Sequence, residues 1–387
     1  MKKIASRARW AAKVGEEGVK DTLHATRKAG EGVRDRVTTK VKQLVKQARK
    51  PMRAASRRRK RLEDQQALNE KEWAIEAEIE RLIEGGRPLV LGPWLSEVGF
   101  ETLYWIPFLH WLKGAFRLDA DRLIAVSRGG VAGWYGGLAS RYVEVWDHMD
   151  PAEFARRNAE RGVTKQYEPS PLDASILELV ARQIGSREFD VVHPGLMYRL
   201  FTLYWSGHRA MGFMDSHLRF TRMDAPAIID PALLPREYIA VKFYAARSLP
   251  DSPEMRARLR GMVARLAERL PVVLLDTGLV LEDDHADYEL ASARVRADDA
   301  AAGRIISAKP WMTPQTNLGV QTQIIAGAAE FVGTCGSIAW LAPRLGVDTS
   351  ALYVDPKWLH AHLAVAMRGY HKLAAGRFAV ADLRAMP

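Results

Sequence analysis

Two rounds of one alternation, a short apolar run followed by a helical pattern, constrain this chain more than any other feature. From Arg87 the order is PLVLG, a helical stretch through Trp111, RLIAVS, a glycine-rich loop, YVEVWD and DVVHP. A proline-punctuated stretch, Pro231 to Pro235, interrupts the order. It then restarts with EYIAVKFY, a helical stretch from Glu254 to Arg269, VVLLD, RIISA, EFVGTCGS and TSALY. A parallel strand is covered on both faces and needs a crossover to return the chain, so short apolar runs alternating with helices indicate parallel β/α units. The expected fold is α/β, with two Rossmann-like domains, 87–235 and 236–387, facing across a cleft. The last helical stretch, Trp358 to Leu373, reads as one that packs back across the domain boundary.

A basic helical extension, residues 1–65, precedes this pair, and a connecting helix, 66–86, ends at Gly85-Gly86. The chain holds 57 Lys and Arg against 46 Asp and Glu; 21 of the former and 5 of the latter fall in residues 1–61, so the remainder is acidic by five. The basicity therefore belongs to the extension and not to the body. EGVKD at Glu17 and EGVRD at Glu31 repeat fourteen residues apart, and Val33, Val37, Val41, Leu44, Val45 and Ala48 continue at helical spacing. Such a basic amphipathic helix suits an anionic membrane surface, where each basic residue contributes about 1 kcal/mol. The RRRKR cluster, Arg57 to Arg61, suits RNA phosphates as well, the less expected partner. Cys335 is the single cysteine, which excludes an intrachain disulfide framework and any multi-cysteine metal site and fits a reducing compartment. With no secretory leader pattern and no run of roughly 20 apolar residues, the expected location is cytoplasmic, peripheral to the membrane through residues 1–61.

In open parallel sheets, ligands sit beyond the carboxyl ends of the strands, and polar clusters recur there. Glu97 and Glu101 follow PLVLG; each reads either as a helix-start carboxylate or as a general base for a substrate hydroxyl. The loop Ser127 to Gly137 lacks the G-x-G-x-x-G spacing and reads as a substrate loop, with Arg128 as its anion-binding candidate. His193, in DVVHP, is a second acceptor-side candidate. Lys242 and Arg247 follow EYIAV and can neutralise a pyrophosphate leaving group. Asn317 and Gln321 can read sugar hydroxyls. Gly333, Thr334, Gly336 and Ser337 form a strand, turn and helix start of the kind that attracts phosphate. Asp276, Asp283, Asp284, His285 and Asp287 read as a solvated acidic loop, so no metal is expected. The chain has neither a G-x-S-x-G elbow nor a Walker loop.

These residues together resemble GT-B-fold glycosyltransferases, most nearly the lipopolysaccharide heptosyltransferase type. Glu101 followed by Pro107, Phe108 and Leu109 keeps the spacing of that family's acidic base and the proline after it, and Lys242 matches its strand-ending lysine. Asn317-Leu318, Phe331-Val332, Thr334-Cys335-Gly336, Leu341-Ala342-Pro343 and Gly346 follow the family's order in the second half. Thr334 replaces the family's aspartate and its histidine is absent, so the donor sugar does not carry over. The resemblance implies transfer of a sugar from a nucleotide diphosphate donor to a glycan or lipid-linked acceptor, in envelope or exopolysaccharide synthesis, with no cofactor beyond the co-substrate. It implies Glu101 as base, with Glu97 as alternative. Lys242, Arg247, Asn317, Gln321 and the Gly333 to Ser337 turn are the implied donor contacts. The rival expectations are a nucleotide-sugar epimerase of the same fold and a non-enzymatic scaffold that binds membrane or RNA through the extension.

Overall fold

The computed structural model describes residues 58–162, 165–277, 287, 288, 290, 301, 303–373 and 376–385. Most of the basic extension, together with Asp283, Asp284 and His285, lies outside the described residues. The chain divides into two compact units, 1–71 and 72–387. In the first, residues 58–71 are helical and mostly exposed, with an Arg59–Glu63 ion pair at 2.8 Å. In the second, residues 72–84 are helical (α1). Ile75, Ile79 and Ile83, four residues apart, form its buried stripe, while Glu72 and Glu78 pair with Arg209 and Arg199. Gly86, at φ 68°, ends this helix.

Strands β1 (Leu89–Leu91), β2 (Leu123–Ser127), β3 (Arg141–Glu144) and β4 (Asp190–Val192) form one parallel sheet in the order β3-β2-β1-β4. The whole of β1 and β2 is buried, as their uninterrupted apolar sequences require. Between β1 and β2 the chain makes one α-turn at Val98–Phe100, a π-helical turn at Glu101–Trp105 and helix α2 (Ile106–Phe116). Helices α3 (Pro151–Glu160) and α4 (Pro171–Ile184) follow β3, and α5 (Pro194–Trp205) and α6 (Met211–His217) follow β4. Helix α4 begins where its sequence says it must: Ser170 and Asp173 form a reciprocal capping box and Pro171 takes the first helical position.

The second sheet contains β5 (Ile239–Lys242), β6 (Val272–Leu274), β7 (Ile305–Ser307), β8 (Glu330–Thr334), β9 (Thr349–Tyr353) and β10 (Phe378–Asp382), all parallel, in the order β10-β9-β8-β5-β6-β7. Counted from β5, this is the doubly wound 3-2-1-4-5-6 order, whose direction reverses between β5 and β8. Helices α7 (Pro253–Arg269), α8 (Asn317–Ala326) and α9 (His360–Leu373) connect its strands. The EFVGTCGS segment departs from the sequence expectation here. Beyond β8 there is no regular helix but two four-residue 3-10 turns, Ser337–Trp340 and Ala342–Leu345.

The two halves share buried contacts. Arg344, wholly buried, donates to the Thr102 carbonyl in the π-helical turn (2.7 Å) and to the Thr221 carbonyl (3.0 Å), and its guanidinium lies over Phe220. The Gln323 side chain brackets the linker, accepting from the Ile228 and Ile229 N–H groups and donating to the Ile229 carbonyl. Trp134 Nε1 donates to Thr322 Oγ1 at 3.0 Å, and the Gly319 N–H to the Gly129 carbonyl at 2.9 Å. Helix α9, although it follows β9, pairs Arg368 and Lys372 with Asp215 of α6 and places Tyr370 against Phe220.

Candidate functional site

Loops leaving β1, β5, β8 and β9 at their carboxyl ends enclose a cavity of about 720 Å³. The first half contributes Glu97 to Phe100, Leu103 and Lys165, and the second contributes Tyr244 to Ser248, Pro250, Asp251, Cys335 to Ser337, Trp340, Trp358, Leu359 and His362. The halves touch at Gly99: a Cβ placed there would lie 2.9 Å from Ser337 N and 3.1 Å from Ser337 Cα. The opposing turn is equally confined, since Gly336 adopts φ 137° and a side chain on it would meet the Tyr244 hydroxyl at 2.6 Å. Ser337, a non-glycine residue at φ 41°, stores about 1–3 kcal/mol of backbone strain, which is typical of ligand-facing segments. Two parallel Rossmann-like sheets thus turn their carboxyl ends toward one cavity. The fold is of the GT-B type.

Solved structures to which the chain is similar include a glycosyl transferase family 9 protein from Veillonella parvula DSM 2008. The two share 13% identity over 70% of this chain and 81% of that one, with a TM-score of 0.40. The ADP-heptose lps heptosyltransferase II of E. coli is similar at 12% identity over 70% and 87% of the two chains, TM-score 0.43. The E. coli heptosyltransferase WaaC, solved with ADP, is similar at 12% identity over 76% and 92%, TM-score 0.36. No family model and no curated protein matches the sequence.

Of the residues named from the sequence, Glu97, Arg247, Gly336 and Ser337 line the GT-B cavity. Glu97 is half-buried at the start of the helical segment, where its backbone carbonyl accepts from the Phe100 and Glu101 N–H groups while its side chain makes no capping bond. Its charge reaches Tyr198 and, across the cavity, Tyr244; burial is the main cause that pushes both phenols up. Arg247 is exposed, with its guanidinium 5.5 Å from the Trp358 ring centre. Ser337 opens a four-residue 3-10 turn and not the helix expected there, and so short a turn aligns few peptide dipoles.

The other site residues named from the sequence do not line this cavity. Glu101 does not line the cavity and is wholly buried; its Oε1 accepts from Ser127 Oγ and Tyr135 OH, both at 2.6 Å. Arg128 is buried and donates to the Trp94 and Ser96 carbonyls at 3.1 and 2.8 Å. In the glycine-rich loop it belongs to, Glu144 binds the Gly129 and Gly130 N–H groups, while Gly129 presses against Leu318 of α8 and Gly130 against Gln315 and Thr316 just before it. His193 caps α5 through Nδ1 and bonds to Asp173 through Nε2 at 3.1 Å, which leaves it no ligand-facing nitrogen. Asn317 and Gln321 are buried, Asn317 donating to the Pro314 carbonyl and Gln321 to the Asn317 carbonyl. Lys242 is held by Asp287 at 3.0 Å and by the Leu275 carbonyl at 2.9 Å. Thr334 Oγ1 accepts from Tyr244 N and donates to the Tyr244 carbonyl, stapling β8 to the end of β5 at the crossover. Gly333 is there for strand contact, since a Cβ would lie 2.4 Å from the Lys242 carbonyl.

Burial pushes the Glu101 carboxyl up from 4.5 to about 7, against the pull of Arg128 and its two hydroxyl donors, and its Oε2 has no hydrogen-bond partner. A carboxyl raised in the folded state destabilises the ionised form. Its full contribution is present below pH 4.5 and is lost as pH rises through about 7, a loss of roughly 3 kcal/mol at most. Glu101→Gln mimics the neutral acid and is expected to flatten the fall in stability between pH 5 and 8. Urea denaturation of both proteins at the two pH values checks this, and an equally steep fall in the variant would clear Glu101 of the effect.

Cavity residues that sequence reasoning did not single out include Lys165, His362 and Trp358. Lys165 Nζ stands 4.7 Å from the Phe100 ring centre and 5.2 Å from that of Trp205. His362 reaches the cavity from α9, its Nδ1 2.6 Å from the Tyr104 hydroxyl. Burial, aided by Lys165, lowers its pKa to about 4, so it serves as a neutral hydrogen-bonding group. No local motif marks these three. Their place depends on which loops meet.

Proposed function

We propose that the chain is a glycosyltransferase of hexosyl or heptosyl type, moving a sugar from a nucleoside diphosphate donor to a hydroxyl of a glycan or lipid-linked acceptor. The observation that carries this reading is a single cavity at the carboxyl ends of both sheets, with a carboxylate, Glu97, from one half and a cation, Arg247, from the other. Glu97 accepts the proton of the acceptor hydroxyl as its oxygen bonds to the anomeric carbon. The bond from that carbon to the diphosphate breaks, and Arg247 meets the charge that departs. Gly336, lacking a side chain, lets the backbone approach the donor. On the acceptor side, Phe100 offers a ring to a sugar face and Lys165 a cation beside it.

Residues 1–61 would bring this cleft to lipid-linked acceptors at an anionic surface, in envelope or exopolysaccharide synthesis. Among the described residues no helix is long and apolar enough to cross a membrane. The test is a thermal-shift panel of nucleoside diphosphates and their sugars. A ligand at one hundred times its Kd adds about 2.7 kcal/mol of stability and should raise Tm measurably. Silence across the panel would remove the donor reading. Interconversion of a nucleotide sugar with no acceptor present would favour the epimerase reaction instead.

A further inference from the structure

Trp358 is an anomaly of the second half. Its indole is 53% exposed, although it lines the cavity and the neighbouring Leu359 is buried. The turn that carries it is firmly mounted. The Val354 and Asp355 N–H groups both donate to the Ser248 carbonyl, at 2.7 and 3.1 Å, which ties the loop after β9 to the loop after β5. The Lys357 N–H donates to Asp355 Oδ1, and the Leu359 N–H to the Pro356 carbonyl. Two cations accompany the ring: Arg247, with its guanidinium carbon 5.5 Å from the ring centre, and Lys357, with Nζ at 5.1 Å.

A large aromatic ring left open to solvent on a braced turn has no packing role to explain it. It does have the geometry of a platform for a planar partner. Resting on the donor reading of the cavity, we propose that Trp358 is the stacking surface for the nucleobase of the nucleoside diphosphate donor. Arg247 then stands at the junction between the stacked base and the diphosphate attached to it. A sugar ring can also lie against an indole, but three observations favour the base. Trp358 belongs to the doubly wound half, it sits beyond the carboxyl ends of its strands, and both of its companions are cations suited to an adjoining diphosphate. Stacking is indifferent to hydrogen-bonding pattern, so the site selects on ring area, and purine diphosphates should bind more tightly than pyrimidine ones.

Calorimetric titration of the full chain with ADP, UDP and inorganic pyrophosphate tests this, using wild type, Trp358→Ala and Trp358→Phe. Because the side chain is largely exposed, both variants should fold with unchanged Tm. The expected result for Trp358→Ala is a roughly 10- to 100-fold weaker Kd for ADP, recovered to within about threefold by Trp358→Phe, with pyrophosphate affinity the same in all three. Equal ADP affinity in wild type and Trp358→Ala would overturn the platform while leaving the donor reading intact. Parallel loss of ADP and pyrophosphate binding would also overturn it, since the ring would then act only by placing Arg247. If wild type binds none of the three, the donor reading and the platform fall together.

Discussion

Glu97→Gln is expected to lower the transfer rate about 10²- to 10⁴-fold, the usual worth of a general base, while Tm and nucleotide affinity stay close to wild type. The substitution keeps the shape of the side chain and removes its negative charge and its ability to take a proton. Glu97 is half-buried and faces the cavity. Glu101→Gln is the matched control. Glu101 is closed off behind Ser127, Tyr135 and the aromatic residues of the first half, so its variant should keep most of the activity and change chiefly the dependence of stability on pH. Initial rates at saturating donor, for both variants side by side, decide the matter. A normal rate for Glu97→Gln together with a collapsed rate for Glu101→Gln would return the base to Glu101 and require it to become accessible during turnover.

Arg344→Met should be the most destabilising single substitution among the residues discussed, costing about 2–5 kcal/mol. The arginine is fully buried and remains charged at neutral pH even though burial lowers its pKa to about 10. Methionine fills part of the volume but leaves the Thr102 and Thr221 carbonyls without their donor, and each such buried acceptor costs about 1–3 kcal/mol. Thr102, in the π-helical turn, is itself wholly buried, so water has little access to repair the loss. Guanidinium denaturation monitored by tryptophan fluorescence provides the measurement. A loss below 1 kcal/mol would mean that these carbonyls find new partners and that the arginine holds nothing in place.

Much of the architecture was legible because parallel sheets write themselves as unbroken apolar runs. PLVLG, RLIAVS, EYIAV, VVLLD and TSALY each contain a strand. Strand β10 went unread because FAVAD is only partly buried and lies at the sheet edge, where the apolar run is not required. The candidate site was harder for a different reason. Glu97 and Glu101 are four residues apart and look equivalent, but Glu97 holds an extended backbone at the helix start while Glu101 begins the π-helical turn, so the helical face rule does not relate them. Glycines in the Ser127 to Gly137 loop signal a close approach without saying to what, and here Gly129 approaches Leu318 of α8, Gly130 approaches Gln315 and Thr316 just before it, and Gly133 and Gly136 approach Asp224. The fate of Lys242 was similarly hidden, since its partner Asp287 is distant in sequence.

The Gly129–Gly319 contact, the Gln323 bracket and the Arg344 clamp also bear on how this chain can be re-engineered. One half of this chain cannot simply be grafted onto the other half of a different protein of this fold. The graft would carry its side of the seam without the matching glycines, amide and guanidinium, and residues 72–387 would have to be redesigned as one body.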